Sequence, residues 1–231
     1  ESQFEAPADA VDEPQVETWK RYITEAETHG FWPLLREKLP QLRFPVRAGQ
    51  SDNPEYRRAA RRGECPDNLP TATGLLLTAP SEIRLDLWPT VAGRVPVLQA
   101  ACREDFVALV RAFAYRNEPV EIFRTQGACA ISGYRNWERR RYGQKPQVDS
   151  DGGSNNADNY WAEPEGLDRF IILGIGEYSG VPAEALEMNK TEWLENSRRL
   201  RLFHEAAHYV TCRALGGMRR HLHDELLGDT A

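Results

Sequence analysis

Apolar residues recur along the chain at two distinct periods, and the changes of period divide it into elements. Trp19, Tyr22, Ile23 and Ala26 share one face at helical spacing, which predicts a helix over residues 16–27 with a stop at His29-Gly30. A second short helix is expected over 31–42, where Pro33 fits the first turn, and a third, basic one over 54–62. From Ile83 the period drops to two: Ile83, Leu85 and Leu87 alternate with polar neighbours, the signature of a strand, and 94–98 reads as its antiparallel partner across a Pro-Thr-Val-Ala-Gly turn. Phe106, Leu109, Val110 and Phe113 restore the helical period over 103–116. Residues 120–123 read as another strand. The small residues of 126–133, bounded by glycines, read as a place of close packing between segments. A fully apolar run at 170–175 predicts a buried strand.

The last periodic segment is the longest. Asn189 with Glu192 three residues on forms an N-capping signature. Beyond it Trp193, Leu200, Phe203, Ala207, Val210 and Ala214 trace an apolar face as far as a Gly216-Gly217 stop. A further helix is expected from about Met218. These elements sum to an α+β fold: N-terminal helices, a small mostly antiparallel sheet from strands near 83, 94, 120 and 170, and a long C-terminal helix packed on it and followed by a second helix. Residues 1–12, acidic and rich in Ala and Pro, read as a flexible lead-in. Residues 13–231 read as one domain, with an N-terminal α/β part at 13–146, a loop of Asp, Asn, Ser and Gly at 147–165, and a final part at 166–231. The loop lacks the glycine and glutamate positions of an EF-hand and reads as a mobile surface segment.

Composition narrows the partners. With 29 Lys and Arg against 35 Asp and Glu, the net charge is -6, which gives no global attraction to nucleic acid or to an anionic membrane. The helix bearing Arg57, Arg58, Arg61 and Arg62 reads as a solvated face, with anion binding as the alternative. No apolar run reaches the roughly 18–20 residues that span a bilayer. The four cysteines, Cys65, Cys102, Cys129 and Cys212, form no C-x-x-C pair and read as reduced thiols of a cytoplasmic protein.

The chemistry concentrates at the end. His204-Glu205-Ala206-Ala207-His208 sits on the long predicted helix, so the two imidazoles project from one face a turn apart, within reach of a single Zn2+. Glu205 is placed to act as general base on a zinc-bound water. Four of the five histidines fall between His204 and His223, and His223-Asp224-Glu225 leads to Asp229 at helical spacing. The metzincin pattern is excluded, because Thr211 and Ala214 stand where that family has a glycine and a third histidine.

Residues 197–231 resemble the gluzincins, the thermolysin-like zinc metallopeptidase clan, on His204-Glu205-x-x-His208 with Glu225 and Asp229 downstream. The resemblance implies a zincin-like domain in which His204, His208 and Glu225 bind zinc, Glu205 is catalytic, and Asp229 supports His204, with the strand at 170–175 placed at the sheet edge. His221 and His223 are competing third ligands, as in SprT-like proteases. They are also candidate oxyanion stabilisers, a role open to Tyr178, Tyr134 or an arginine as well. The expected substrate is a peptide, a protein or a small amide. The alternative is an inactive, zinc-stabilised binding or scaffold protein.

Overall fold

The structure is a computed structural model that describes residues 10–64, 74–142 and 167–215, together with Gly228. Helix α1 (Gln15–His29) buries Val16, Trp19, Tyr22 and Ala26 on the predicted face. Gly30, at φ +77°, ends it by donating its N–H to the Ala26 carbonyl. Helix α2 (Phe31–Lys38) follows at once and is shorter than expected. Pro40 disfavours helical geometry at Leu39, so the chain is extended there and continues as a 3-10 turn, Pro40–Arg43. Helix α3 (Pro54–Arg62) has the predicted bounds; Asn53 Oδ1 accepts from the N–H of Glu55 and Tyr56 at 2.9 and 3.1 Å, satisfying donors that the first turn leaves over.

Strands β1 (Arg84–Thr90) and β2 (Gly93–Gln99) form the predicted antiparallel hairpin, with Arg84 opposite Gln99 and Thr90 opposite Gly93. Helix α4 (Arg103–Phe113) buries Phe106, Leu109 and Val110. The strand expected at 120–123 is absent. Its carbonyls are taken by side chains instead of a ladder: Arg111 Nε donates to Val120 O at 2.8 Å, and Arg103 Nη2 to Ile122 O and Phe123 O at 3.1 and 2.6 Å. The sheet's place for a strand goes to β3 (Ala128–Arg135), which the small residues of 126–133 had concealed. After helix α5 (Trp137–Tyr142), strand β4 (Leu167–Leu173) enters between β2 and β3, giving the order β1-β2-β4-β3. It runs parallel to β2 and antiparallel to β3. The apolar run at 170–175 is therefore central, and β3 and β1 are the edges.

That position explains the run's continuous hydrophobicity. Phe170 and Ile172 join one core with Trp19, Tyr22, Leu98 and Phe106, whereas Ile171 and Leu173 join a second with Val95, Val97, Leu202 and Tyr209. The sheet is thus a middle layer, with α1, α2 and α4 on one face and the last helix on the other. Each of these large apolar side chains, fully buried, contributes roughly 1.5–3 kcal/mol. Asp168, on the same strand, is wholly buried and accepts from Trp19 Nε1, Asn136 Nδ2 and Arg139 Nε at 3.0, 3.0 and 2.9 Å. These donors satisfy a carboxylate that would otherwise be costly inside a core.

Helix α6 (Lys190–Leu215) starts on the predicted cap, Asn189 Oδ1 accepting from Thr191 N and Glu192 N. Its buried face is rotated from the expected one. Trp193, Ser197, Arg201, Leu202, Ala206 and Tyr209 are buried, whereas Leu200 and Phe203 remain 45% and 43% exposed. The Gly216-Gly217 stop, the 147–165 loop and the start of the second helix lie outside the described residues. Of the expected lead-in, Asp12 is among them and pairs with Arg94, which donates Nε–H to Asp12 Oδ2 at 2.9 Å and its backbone N–H to Oδ1 at 2.8 Å. Among the described residues no helix is long and apolar enough to cross a membrane.

Candidate metal centre

Three stripes run along α6. Leu202, Ala206 and Tyr209 press on the sheet. Beside them His204, Glu205, His208, Thr211 and Cys212 turn toward β3 and line a cleft of about 610 Å³ between helix and sheet. A third stripe, with Leu200 and Phe203, faces outward. The helix is held at this rotation by Arg201, one turn before His204. Arg201 donates to the Gly176 and Glu177 carbonyls at 2.6 and 2.5 Å, and its guanidinium lies 6.0 Å from the centre of the Tyr178 ring.

His204 and His208 converge. Their Nε2 atoms are 3.0 Å apart and their ring planes are inclined at 79°. Zinc–nitrogen distances of 2.0–2.1 Å in a tetrahedral site put two ligand nitrogens about 3.3 Å apart, so the two imidazoles already aim at one shared point. The same spacing serves an N–H···N hydrogen bond between them. Either arrangement brings both nitrogens to one small space, as a chelating pair requires.

Glu205 lines the same cleft, across from Ala128, Cys129 and Ala130 of β3. Burial, and then the negative charge of Glu205, push the Cys129 thiol up to about 12. The carboxylate therefore bears electrically on the opposite wall. Thr211 Oγ1 donates to the His208 carbonyl at 3.0 Å, and Arg169, on the sheet floor, is ion-paired with Glu13.

Glu225, Asp229, His221 and His223 lie outside the described residues. Gly228 does not. It is helical and buried, and a Cβ built on it would stand 2.9 Å from both Cε1 and Nδ1 of His204, so its backbone rests on that ring. Among the described residues no group of three His, Cys, Asp or Glu forms that could hold a metal ion. Tyr178 does not line the cleft, and its ring lies by Arg201. Tyr134 is buried on the sheet's other face, donating its hydroxyl to Gln41 Oε1 at 2.9 Å. Sequence reasoning missed the cleft's far wall, Ala128 to Ser132, and its basic residue Arg169. The available signal was the alternation of Ala128 and Ala130 with Cys129 and Ile131, obscured by the small size of the residues.

The whole chain, residues 1–231, matches a family described as a family of unknown function (DUF7005). The chain belongs to DUF7005. No curated protein and no solved structure matches this member of the family.

Proposed function

We propose that the protein is a zinc-dependent hydrolase, a metallopeptidase with a zincin-like site on α6. The observation that carries this reading is the convergence of His204 Nε2 and His208 Nε2 at 3.0 Å in a cleft that Glu205 also lines. Imidazole pairs at this spacing suit zinc. In this reading Glu225 completes the ligand set and Asp229 orients His204. The seat of Gly228 on the His204 ring supports it, since Glu225 precedes that glycine by three residues and Asp229 follows it directly.

Zinc bound there supplies two things: it brings the pKa of a water down toward about 7, and it polarises the carbonyl under attack. Glu205 takes a proton from the water as its oxygen bonds to the carbonyl carbon. It then gives that proton to the amide nitrogen as the C–N bond breaks, leaving a carboxylic acid and an amine, and the acid's proton passes to the amine to give a carboxylate and an ammonium. The substrate is a peptide or protein. Edge strand β3 rims the cleft and, among the described residues, pairs only with β4, so an extended chain has a backbone edge on which to add. Cys102, Cys129 and Cys212 are free thiols, in keeping with a reducing, cytoplasmic setting.

Metal analysis of the purified protein should find about one zinc per chain, and a mixed peptide library should be cleaved only without chelator. Glu205→Gln should retain the zinc and lose at least about 10²-fold in kcat/KM. Undiminished turnover in Glu205→Gln, or a protein that takes up no zinc, sinks the reading.

A further inference from the structure

The edge strand that rims the metal cleft borders a second cleft on the opposite face of the sheet. This one, of about 390 Å³, is lined by Arg61 from α3, Arg116 from the turn after α4 and Arg135 from the end of β3, with the hydroxyl side chains Ser51 and Ser132. All three arginines are exposed. Several other arginines have acidic partners, as Arg57 has Asp52, Arg94 Asp12, Arg139 Asp168 and Arg169 Glu13, and others, such as Arg103, Arg111 and Arg201, are taken up by two or more backbone carbonyls or by one at 2.8 Å. Among the described residues Arg61, Arg116 and Arg135 have no acidic partner. Arg135 does no more than reach the Arg61 carbonyl at 3.5 Å and lie over the Trp137 ring, its Cζ 5.4 Å from the centroid. A neighbouring carboxylate, Glu118, is occupied by the backbone N–H groups of Gly49 and Ser51, at 3.0 and 2.6 Å. In a chain of net charge -6, three arginines from separate segments line one hollow whose lining includes no acidic side chain among the described residues.

The two clefts are joined. Ile131 and Ser132 line both. At that point β3 carries a bulge: Ile131 pairs with Phe170 and Tyr134 with Asp168, so Ser132 and Gly133 together stand opposite Arg169. The bulge, with Gly133 at φ +77°, turns the edge from the metal side toward the arginines. An extended chain added to an edge presents successive side chains to opposite faces. Those of one parity would face α6 and its histidines, and those of the other would face the arginine hollow. From Ala130, across the cleft from Glu205, to Arg135 is five residues, about 16 Å at a strand's rise.

We propose that this hollow is a carboxylate-binding subsite, and that the substrates are extended peptides with an acidic group within about five residues of the bond cleaved. The proposal rests on the hydrolase reading for the bond cleaved, and on the arginines alone for the binding preference. Guanidinium groups hold carboxylates by paired, charge-assisted hydrogen bonds, whereas a neutral glutamine side chain in the same place gains far less. The acidic group is either an Asp or Glu side chain or the peptide's own C-terminal carboxylate.

The test separates binding from cleavage. Fluorescein-labelled twelve-residue peptides of Ala, Ser and Thr, with one Glu stepped through the sequence, are titrated by anisotropy against the Glu205→Gln protein, with and without chelator. Gln counterparts and C-terminally amidated versions complete the set. At one or two positions Glu should bind at least about tenfold more tightly than Gln, and the preference should shrink with added salt. A preference that disappears on amidation assigns the hollow to the chain terminus; one that survives assigns it to the side chain. Arg116→Gln with Arg135→Gln should abolish the preference. Arg116→Gln alone, which leaves the Arg135–Trp137 stacking intact, should reduce it, with thermal melts checking the fold. In the wild-type protein the Glu-to-Gln ratio of kcat/KM should exceed about ten and fall toward one in the double variant. Equal binding of Glu and Gln peptides at every position, or a preference that survives the double variant, overturns the proposal. Selective binding without cleavage leaves the subsite standing and removes the hydrolase reading; cleavage indifferent to Glu does the reverse.

Discussion

Gly228 has its backbone against the His204 imidazole at a point where any side chain would intrude. A methyl group there would lie 2.9 Å from Cε1 and Nδ1, closer than van der Waals contact permits, so the ring would have to turn. Its Nε2 would then leave the line to His208. Gly228→Ala should therefore weaken zinc binding about tenfold, the lower end of what disturbing a ligand's support costs, while a helix position otherwise gains from alanine. A competition titration with a zinc indicator reads the affinity, and unchanged affinity would show that the ring is free to move. The two histidines and Glu205 were legible as residues, because helical spacing alone puts them on neighbouring faces. Gly228 carried no reading of its own in the sequence; what it touches is fixed by a tertiary approach that no local pattern encodes.

At the scale of elements, two of the misreadings, the face of α6 and the strand at 120–123, share a cause. Polar side chains take over tasks that the hydrophobic pattern assigns to apolar ones. The rotated face of α6 buries Ser197, whose Oγ accepts from Tyr178 N at 2.9 Å, and Arg201, which holds two carbonyls of the 176–177 loop. Leu200 and Phe203 are left outside, where Phe203 meets Trp88 edge-on with centroids 5.9 Å apart. Likewise Arg103 and Arg111 claim the carbonyls of 120–123 and cancel a strand. Helices α1 and α3, the hairpin and β4 were legible because local period and turn residues agree with their surroundings. The arginine tie of α6 has a sharp requirement at Gly127, just before β3. A Cβ there would overlap the Arg201 side chain, standing 2.5 Å from Cζ. Gly127→Ala should destabilise the protein by about 1–3 kcal/mol, the usual cost of overpacking, seen as a lower urea midpoint with an unchanged slope. An unaltered midpoint would mean that Arg201 can detach without loss, and that α6 is oriented by its apolar stripe alone.

Across the whole molecule, the far end of α6 is tied to the start of the chain. Arg213 donates to the Val11 carbonyl at 2.6 Å and also to that of Ala92 in the β1–β2 turn; Tyr209 donates to the Arg94 carbonyl at 3.2 Å, and Arg94 in turn holds Asp12. Helix, hairpin and N-terminal segment thus meet within two turns of His208. The Arg213 bonds are the connection that can be cut with least damage to the core, because the side chain sits at the rim. Two lost hydrogen bonds at about 0.5–1.5 kcal/mol each make Arg213→Ala cost about 1–3 kcal/mol, a fall of several degrees in Tm for a chain of this size. If the tie also fixes the helix segment that carries the histidines, zinc affinity should fall with it. The upward shift of Tm on adding zinc, which grows as RT ln(1 + [Zn]/Kd), should then be smaller in Arg213→Ala than in the parent at equal zinc concentration. Amide exchange should quicken at residues 10–14 and 208–215 together. A variant with a lowered Tm but an undiminished zinc-induced shift would separate the two effects: the clamp would then hold the chain's beginning in place without bearing on the metal centre.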